Sequence, residues 1–155
     1  MKKYLYISLI SLLTGCASNQ LATDSQDNSN YESNFADLAL STDAEFNALW
    51  KVQKRVDPGY TADAARNGLS GCVTVKFVVN RQGKAVAQQI TDSFPFGVFD
   101  KTALEAIKQW RWQPTQSNPE KTPALTEVKF DYMVQGTKNK APAEKHCKIT
   151  IPASY

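Results

Sequence analysis

The chain has 155 residues, with 18 Lys or Arg against 15 Asp or Glu, which gives a formal net charge of +3. This length is enough for one compact domain and a tether. The excess of positive charge is small, and no basic block is denser than the segment KNKAPAEKHCK near the end of the chain. The charge therefore does not predict binding to nucleic acid.

The first 15 residues have the pattern of an export signal. Lys2 and Lys3 precede an apolar stretch over residues 4–13, which is too short to span a bilayer because a spanning helix takes about 20 residues. The sequence LTGC, which ends at Cys16, then resembles the lipobox of bacterial lipoproteins, where the signal is cut before the cysteine. A short buried helix with an incidental cysteine is the alternative. We predict that residues 1–15 are removed and that Cys16 is the lipid attachment site, carrying palmitate.

Residues 16–40 predict a tether that follows the lipidated cysteine. Most of this segment is rich in Ser, Asn, Asp and Gln, so it buries too little apolar surface to order itself. A flexible tether of this kind has a typical end-to-end distance of about 25 Å. Ala17 and Ser18, with no Asp after the cysteine, match the sorting pattern of outer-membrane lipoproteins. The predicted location is the periplasmic side of the outer membrane, with the inner membrane as the alternative.

Two further cysteines, Cys72 and Cys147, are available to form a disulfide. An exported chain enters an oxidising compartment, where disulfides form and persist. Two cysteines and the single His146 supply too few ligands for a zinc site, so no metal is expected. We predict a disulfide between Cys72 and Cys147 rather than two free thiols. This bond would fix the tail, residues 136–155, to the domain.

An amphipathic helix is predicted in residues 41–57. Thr42 and Glu45 have the spacing of a capping box, in which each side chain accepts a hydrogen bond from a backbone amide at the start of the helix. Apolar residues follow at three- and four-residue spacing as far as Trp50. We expect the helix to continue to about Lys54.

An α+β domain is predicted for residues 58–135. Its sheet is small, mainly antiparallel and three-stranded, and it packs against one principal helix. The pattern predicts a short helix (residues 61–67), a strand (72–79) and a second strand at an edge of the sheet (86–90). The principal helix (99–110) and a last strand with one solvent-exposed face (124–134) follow.

The order of these elements, together with four motifs, resembles the C-terminal domain of TonB-family proteins. The motifs are a Gly before the first strand, a Gly turn, a Ser after the second strand and an aromatic-Arg-aromatic-x-Pro end to the helix. Here they are Gly71, Gly83, Ser93 and Trp110-Arg111-Trp112-Gln113-Pro114. The resemblance covers Pro58 to Val134 and implies a fold like the TonB and TolA C-terminal domains.

The resemblance implies a binding module. Domains of this family take a short extended peptide of an outer-membrane transporter as an additional strand, and an exposed sheet edge permits this physically. The expected peptide-binding residues lie on the last strand and before the first short helix: Thr126, Val128, Phe130, Tyr132, Asp57, Pro58, Gly59 and Tyr60. This chain departs from the family pattern where Thr61 replaces a Pro and where Asp57 replaces a glutamine.

No catalytic motif is recognisable in the sequence. Asp92 with Ser93, and His146 beside Cys147, are the pairs that could combine a nucleophile with a base, but a lone His in a polar tail is weak evidence for a catalytic site. We therefore expect no enzyme activity, no cofactor and no small-molecule substrate.

The predicted function is partner binding in the bacterial envelope. We expect a membrane-anchored periplasmic protein that binds partner proteins or extended peptides at a sheet edge and is associated with TonB-dependent outer-membrane transport. The family's energy transducers have an uncleaved membrane helix and a long Pro-rich spacer. The apolar stretch of this sequence is short and ends in the predicted lipobox, and the predicted tether is not Pro-rich. We therefore predict that this chain cannot transduce energy alone. The alternative is a structural lipoprotein of envelope assembly, similar to TolA. A strand over residues 148–151 that paired with the last strand of the sheet would favour this alternative.

Overall fold

The computed structural model describes residues 39–148. The predicted signal, Cys16 and all but the last two residues of the predicted tether lie outside the described residues, and so do residues 149–151 of the predicted tail strand. Between residues 39 and 148, no helix has the length and apolar content needed to cross a membrane.

The described elements form two antiparallel sheets and four helices. In chain order they are α1 (Asp43–Leu49), β1 (Trp50–Lys54), α2 (Ala62–Asn67), β2 (Gly71–Val79), β3 (Ala85–Phe94), α3 (Asp100–Gln109), β4 (Arg111–Pro114), β5 (Ala124–Tyr132) and α4 (Lys140–Cys147). One sheet has the strand order β3-β2-β5, and the other pairs β1 with β4. The α+β class and the three-stranded sheet are confirmed, whereas the smaller sheet was not predicted.

The main core lies between one face of the larger sheet and α3. The alternating residues Val73, Val75 and Phe77 of β2 are at most 1% exposed, and Ala103 and Ile107 of α3 are fully buried. Burying a large apolar side chain contributes roughly 1.5–3 kcal/mol. This period-two pattern is the one that the sequence predicted for the strand.

The aromatic motif after α3 makes two contacts that account for features of the sequence pattern. Trp110 is buried, and its indole N–H donates to the carbonyl of Val56 over 2.7 Å. Trp112 donates its backbone N–H to the carbonyl of Gly83 over 2.9 Å. Gly83 has a φ of 69°, and a Cβ there would overlap the carbonyl of Trp112. The hairpin turn therefore requires glycine at this position.

The prediction of one helix over residues 41–57 was wrong beyond Leu49. Thr42 does cap α1, since its hydroxyl accepts from the amide of Glu45 and the Glu45 carboxylate accepts from the amide of Thr42 over 2.8 Å. The next residues form β1 because they gain backbone pairing with β4 and because the Trp50 indole becomes fully buried. Pairing with a distant strand has outweighed the local helical spacing.

The predicted helix at residues 61–67 and the predicted hairpin are confirmed. Thr61 caps α2, and Gly68 ends it in a left-handed conformation with a φ of 58°, which glycine adopts at low cost. In the turn between β2 and β3, the Asn80 side chain accepts from the amides of Gln82 and Lys84 at 3.0 and 2.9 Å. β3 lies at an edge of the sheet, as expected.

Candidate partner-binding edge

The larger sheet has two outer strands, β3 and β5, and their ladders with β2 differ. The β5 ladder runs through nine consecutive residue pairs without a register shift. The β3 ladder has two register shifts, and Ala87 in this strand has a positive φ of 50°. Bulges bend and twist a strand, and they are one way in which proteins protect a sheet edge from pairing. The regular edge of β5 is thus the better template for an additional strand.

Alternate residues of β5 direct their backbone groups away from β2. In an antiparallel ladder, both backbone groups of one residue point to the same side, and successive residues point to opposite sides. The carbonyl of Leu125 accepts from the amide of Ser41 over 2.9 Å on the outer side. By alternation, Glu127, Lys129 and Asp131 also face outward. Within residues 39–148, no backbone group pairs with these three residues on that side.

The segment before α1 closes the Leu125 end of this edge. Leu40 forms a parallel bridge with Leu125, and the chain then turns away into α1 at Asp43. The open stretch of β5 therefore runs from Glu127 to Asp131. At 3.4 Å per residue it is about 14 Å long, which is enough to pair with a segment of about five residues.

The side chains predicted to contact a peptide on β5 point into the core instead. Thr126, Phe130 and Tyr132 are 7%, 3% and 5% exposed, and Val128 is half-buried against the same core. Their backbone groups pair with β2. The prediction of these four residues as peptide contacts was therefore wrong for their side chains. The candidate contacts on β5 are the outward-facing residues that alternate with them.

Tyr132 contributes to the packing of this end of the core. Its ring stacks on Phe99 with centroids 4.1 Å apart, and its hydroxyl is 3.1 Å from the hydroxyl of Thr102. Burial raises the pKa of the Tyr132 phenol above its ordinary value and outweighs the hydrogen bond to Thr102, which lowers it. The side chain stays neutral at physiological pH, as a buried position requires.

The second predicted contact segment, Asp57 to Tyr60, lies close to the same strand. The ring of Tyr60 is 5.6 Å from that of Phe99, which in turn stacks on Tyr132. A single aromatic ring thus separates this loop from β5. Tyr60 is 37% exposed, and Asp57 forms an exposed ion pair with Arg55 over 3.1 Å. The structure brings together the two segments that the resemblance named.

The tail forms helix α4 on the second face of the sheet, opposite α3. A disulfide joins Cys72 on β2 to Cys147 at the end of α4, with the Cα atoms 5.9 Å apart. His146 hydrogen-bonds Asp92 over 2.9 Å and stacks on Phe94 with centroids 4.8 Å apart. As far as Lys148, therefore, the tail lies over β2 and β3 and leaves the outer edge of β5 open.

One contact connects α4 to the outward-facing residues of β5. The ammonium group of Lys129 donates to the carbonyl of Cys147, and it also pairs with the Asp131 carboxylate over 3.4 Å. A cation at the last carbonyls of a helix is favourable because these carbonyls lack partners within the helix. Lys129 thus caps α4, and its side chain is directed along the second face of the sheet.

The groups considered for catalysis do not share one site. Asp92 and His146 meet on the second face of the sheet, whereas the hydroxyl of Ser93 bonds the carboxylate of Asp100 on the α3 side. The motif serine thus connects the end of β3 to the first turn of α3. In the described part of the chain, no group of three or more His, Cys, Asp or Glu side chains is placed to hold a metal ion.

The comparison with known families covers both segments of the candidate site. Residues 56–134, just over half of the chain, match the family model of the Gram-negative bacterial TonB protein C-terminal domain. This chain belongs to the TonB C-terminal family. The family assignment predicted from the sequence motifs is confirmed.

Curated relatives match this TonB C-terminal domain over part of their length. Protein TonB of Vibrio cholerae serotype O1 is 36% identical over 63 residues, which are 41% of this chain and 26% of the relative. Protein TonB of Klebsiella pneumoniae is 36% identical over 59 residues, which are 38% of this chain and 24% of the relative. The chain thus spans about a quarter of the length of the curated relatives it matches.

Two solved structures are similar to the chain. The solution NMR structure of the Pseudomonas aeruginosa TonB CTD is 23% identical, with a TM-score of 0.49, and the match covers 57% of this chain and 90% of that one. The TonB2 protein from Vibrio anguillarum is 22% identical, with a TM-score of 0.39, and the match covers 85% of this chain and all of that one.

Proposed function

We propose that this TonB C-terminal-family protein binds an extended segment of another envelope protein as an additional strand on β5. The observation that carries the proposal is the open row of backbone groups on Glu127, Lys129 and Asp131, on a strand with a regular ladder. Each backbone hydrogen bond contributes about 0.5–1.5 kcal/mol net. Six such groups can supply useful affinity with limited dependence on side chains.

The proposed partner is an outer-membrane transporter or another envelope protein, and the proposed compartment is the periplasm. Membership of the TonB C-terminal family supports this class of partner. In the proposal, lipidated Cys16 anchors the domain on the periplasmic side of the outer membrane, and the tether keeps β5 within reach of membrane proteins. That the protein does not transduce energy alone remains a prediction.

An NMR titration tests the binding site. The isotope-labelled full chain in detergent is titrated with amino-terminal peptides of outer-membrane transporters from the same organism. Saturable shifts at the amides of Glu127, Lys129 and Asp131, with smaller shifts at Asp57 to Tyr60, are the expected result. Shifts confined to β3, or no shifts at millimolar peptide, would contradict strand capture on β5. The absence of binding would favour the structural role in envelope assembly.

Metabolic labelling with a palmitate analogue tests the proposed anchor separately. The full chain should incorporate the label and fractionate with the outer membrane, whereas Cys16→Ser should lose the label. A Cys147→Ser variant is the matched control, because it also removes one cysteine and should keep the label. Label that persists in Cys16→Ser would exclude this cysteine as the attachment site.

A further inference from the structure

Negative side chains are concentrated at the Leu125 end of the open edge. The hydrogen bond between Ser41 and Leu125 brings the first turn of α1, with Asp43 and Glu45, to this end. Hydrogen bonds from the backbone and side chain of Thr42 lower the pKa of Glu45, which therefore stays ionised at neutral pH. Glu127 is the next outward-facing residue of β5.

Across the sheet, Glu127 lies opposite Lys76 of β2. The two side chains share the second face of the sheet, and opposite charges in neighbouring strands attract each other. An added strand would lie on the other side of β5, and one of its residues would lie opposite Glu127. A basic residue there would continue the alternation of charge that begins with Lys76.

The Asp131 end of the edge differs because its carboxylate already forms an ion pair with a cation of the same strand. Lys129 pairs with Asp131 over 3.4 Å and also bonds the carbonyl of Cys147. An added basic residue at this end would meet a carboxylate that already has a cation beside it. The two ends of the open stretch thus offer different charges to a bound strand.

We infer that the β5 edge selects extended segments with a basic side chain at the Leu125 end, opposite Glu127, and so fixes the direction in which the segment lies. This inference rests on the proposed strand capture and adds the chemistry of the partner to it. An opposite-charge cross-strand pair and the loss of the like-charge contact together correspond to about a three- to tenfold preference in affinity.

Two peptides that differ by one charge test this inference with the full chain in detergent. The sequences Lys-Val-Thr-Val-Thr and Gln-Val-Thr-Val-Thr, both with blocked termini, have the same length and differ only in the charge of the first residue. The lysine peptide can lie in the direction that places its lysine opposite Glu127, and we expect it to bind about three- to tenfold more tightly than the glutamine peptide at low salt. The preference should shrink at 1 M salt, where the screening length falls to about 3 Å.

The variant Glu127→Lys should abolish or reverse the preference between the two peptides. Glu120→Lys is the matched control, because it makes the same change of charge at an exposed position in the turn before β5, and it should keep the preference. Equal affinity of the wild type for both peptides, or a preference that survives Glu127→Lys, would overturn the inference while strand capture stands. Absence of binding by either peptide at millimolar concentration would instead contradict strand capture.

Discussion

The two outer strands of the larger sheet meet solvent in opposite ways. β3 contains two register shifts and a residue with positive φ, and contacts from α4 cover its end at Asp92 and Phe94. β5 has an unbroken ladder, and its outward-facing groups are closed only at Leu125 within the described residues. Exposed sheet edges are normally protected because they invite pairing with other chains. The contrast indicates that the β3 edge is protected from pairing by its bulges and by α4, whereas the β5 edge is open to pairing with another strand.

The largest expected effect distinguishes inward-facing from outward-facing residues of β5. Val128→Pro removes an amide that pairs with β2, so we expect a loss of more than about 3 kcal/mol in the free energy of unfolding. Lys129→Pro removes an amide that faces outward, so the fold should persist while peptide affinity falls at least about tenfold. Urea unfolding and peptide titration measure the two quantities.

Lys129→Ala is the control for the Lys129→Pro variant, because it removes the same side chain and keeps the amide. It should retain most of the peptide affinity. Equal destabilisation by the two proline variants would show that the register assigned to β5 is incorrect.

Removing the disulfide should destabilise the part of the sheet that α4 covers, β2 and β3. The bond closes a loop with a sequence separation of 75 residues, and its loss is expected to reduce the free energy of unfolding by about 2–4 kcal/mol. Chemical reduction of the wild type and the double variant Cys72→Ala with Cys147→Ala should give the same decrease in the free energy of unfolding. Hydrogen exchange should accelerate at Asp92 and Phe94, while the outward amides of β5 should not change. An effect centred on β5 would contradict the assignment of α4 to β2 and β3.

Gly71→Ala should disturb β3 more than β5. A Cβ on Gly71 would overlap the carbonyl of Phe94 and lie 2.8 Å from the ring of Phe99, so the end of β3 must move. We expect a loss of about 1–3 kcal/mol, which is typical of overpacking, together with faster exchange in β3. Gly59→Ala is the matched control, since a Cβ at Gly59 meets nothing within 4 Å. A similar loss in both variants would refute this explanation.

The smallest effect concerns α1, the helix that follows the segment closing the Leu125 end of β5. Hydrogen bonds from Thr42 lower the pKa of Glu45 below its usual value near 4.5. Because the folded pKa is depressed, the stabilisation is present above pH 4.5 and is lost as the pH falls through the folded pKa. Glu45→Gln does not titrate, so the difference in Tm between the two proteins should change in this acidic range. A difference that is constant from pH 7 to pH 3 would exclude a charged capping box.

Elements that depend on local patterns could be predicted from the sequence. The alternation from Val73 to Val79, the turn at Gly83 and the wet face of β5 all follow from side-chain period and turn chemistry. β1 could not be predicted, because Trp50–Lys54 becomes a strand by pairing with residues about 60 positions away. The outward groups of Glu127 and Lys129 were missed because their direction depends on which strand occupies the other side of β5.

The tail illustrates a second limit of the sequence. Residues 140–147 form a helix although Pro142 lies within it and only Ala143 and Cys147 are buried. The helical pattern is weak because the anchoring contacts are the disulfide and the pair of His146 with Asp92, not an apolar stripe. The sequence could indicate the disulfide from its compartment and cysteine count, but not the conformation of the segment that the disulfide holds.

Amide hydrogen exchange of the free full chain in detergent, repeated with saturating peptide, tests the open edge most directly. In the free protein, the amides of Glu127, Lys129 and Asp131 should exchange fast, while those of Thr126, Val128 and Phe130 should be protected by the ladder with β2. The peptide should protect the first set and leave the second unchanged. Protection of Glu127, Lys129 and Asp131 in the free protein, or unchanged exchange with the peptide bound, would contradict an edge that is open to a partner strand.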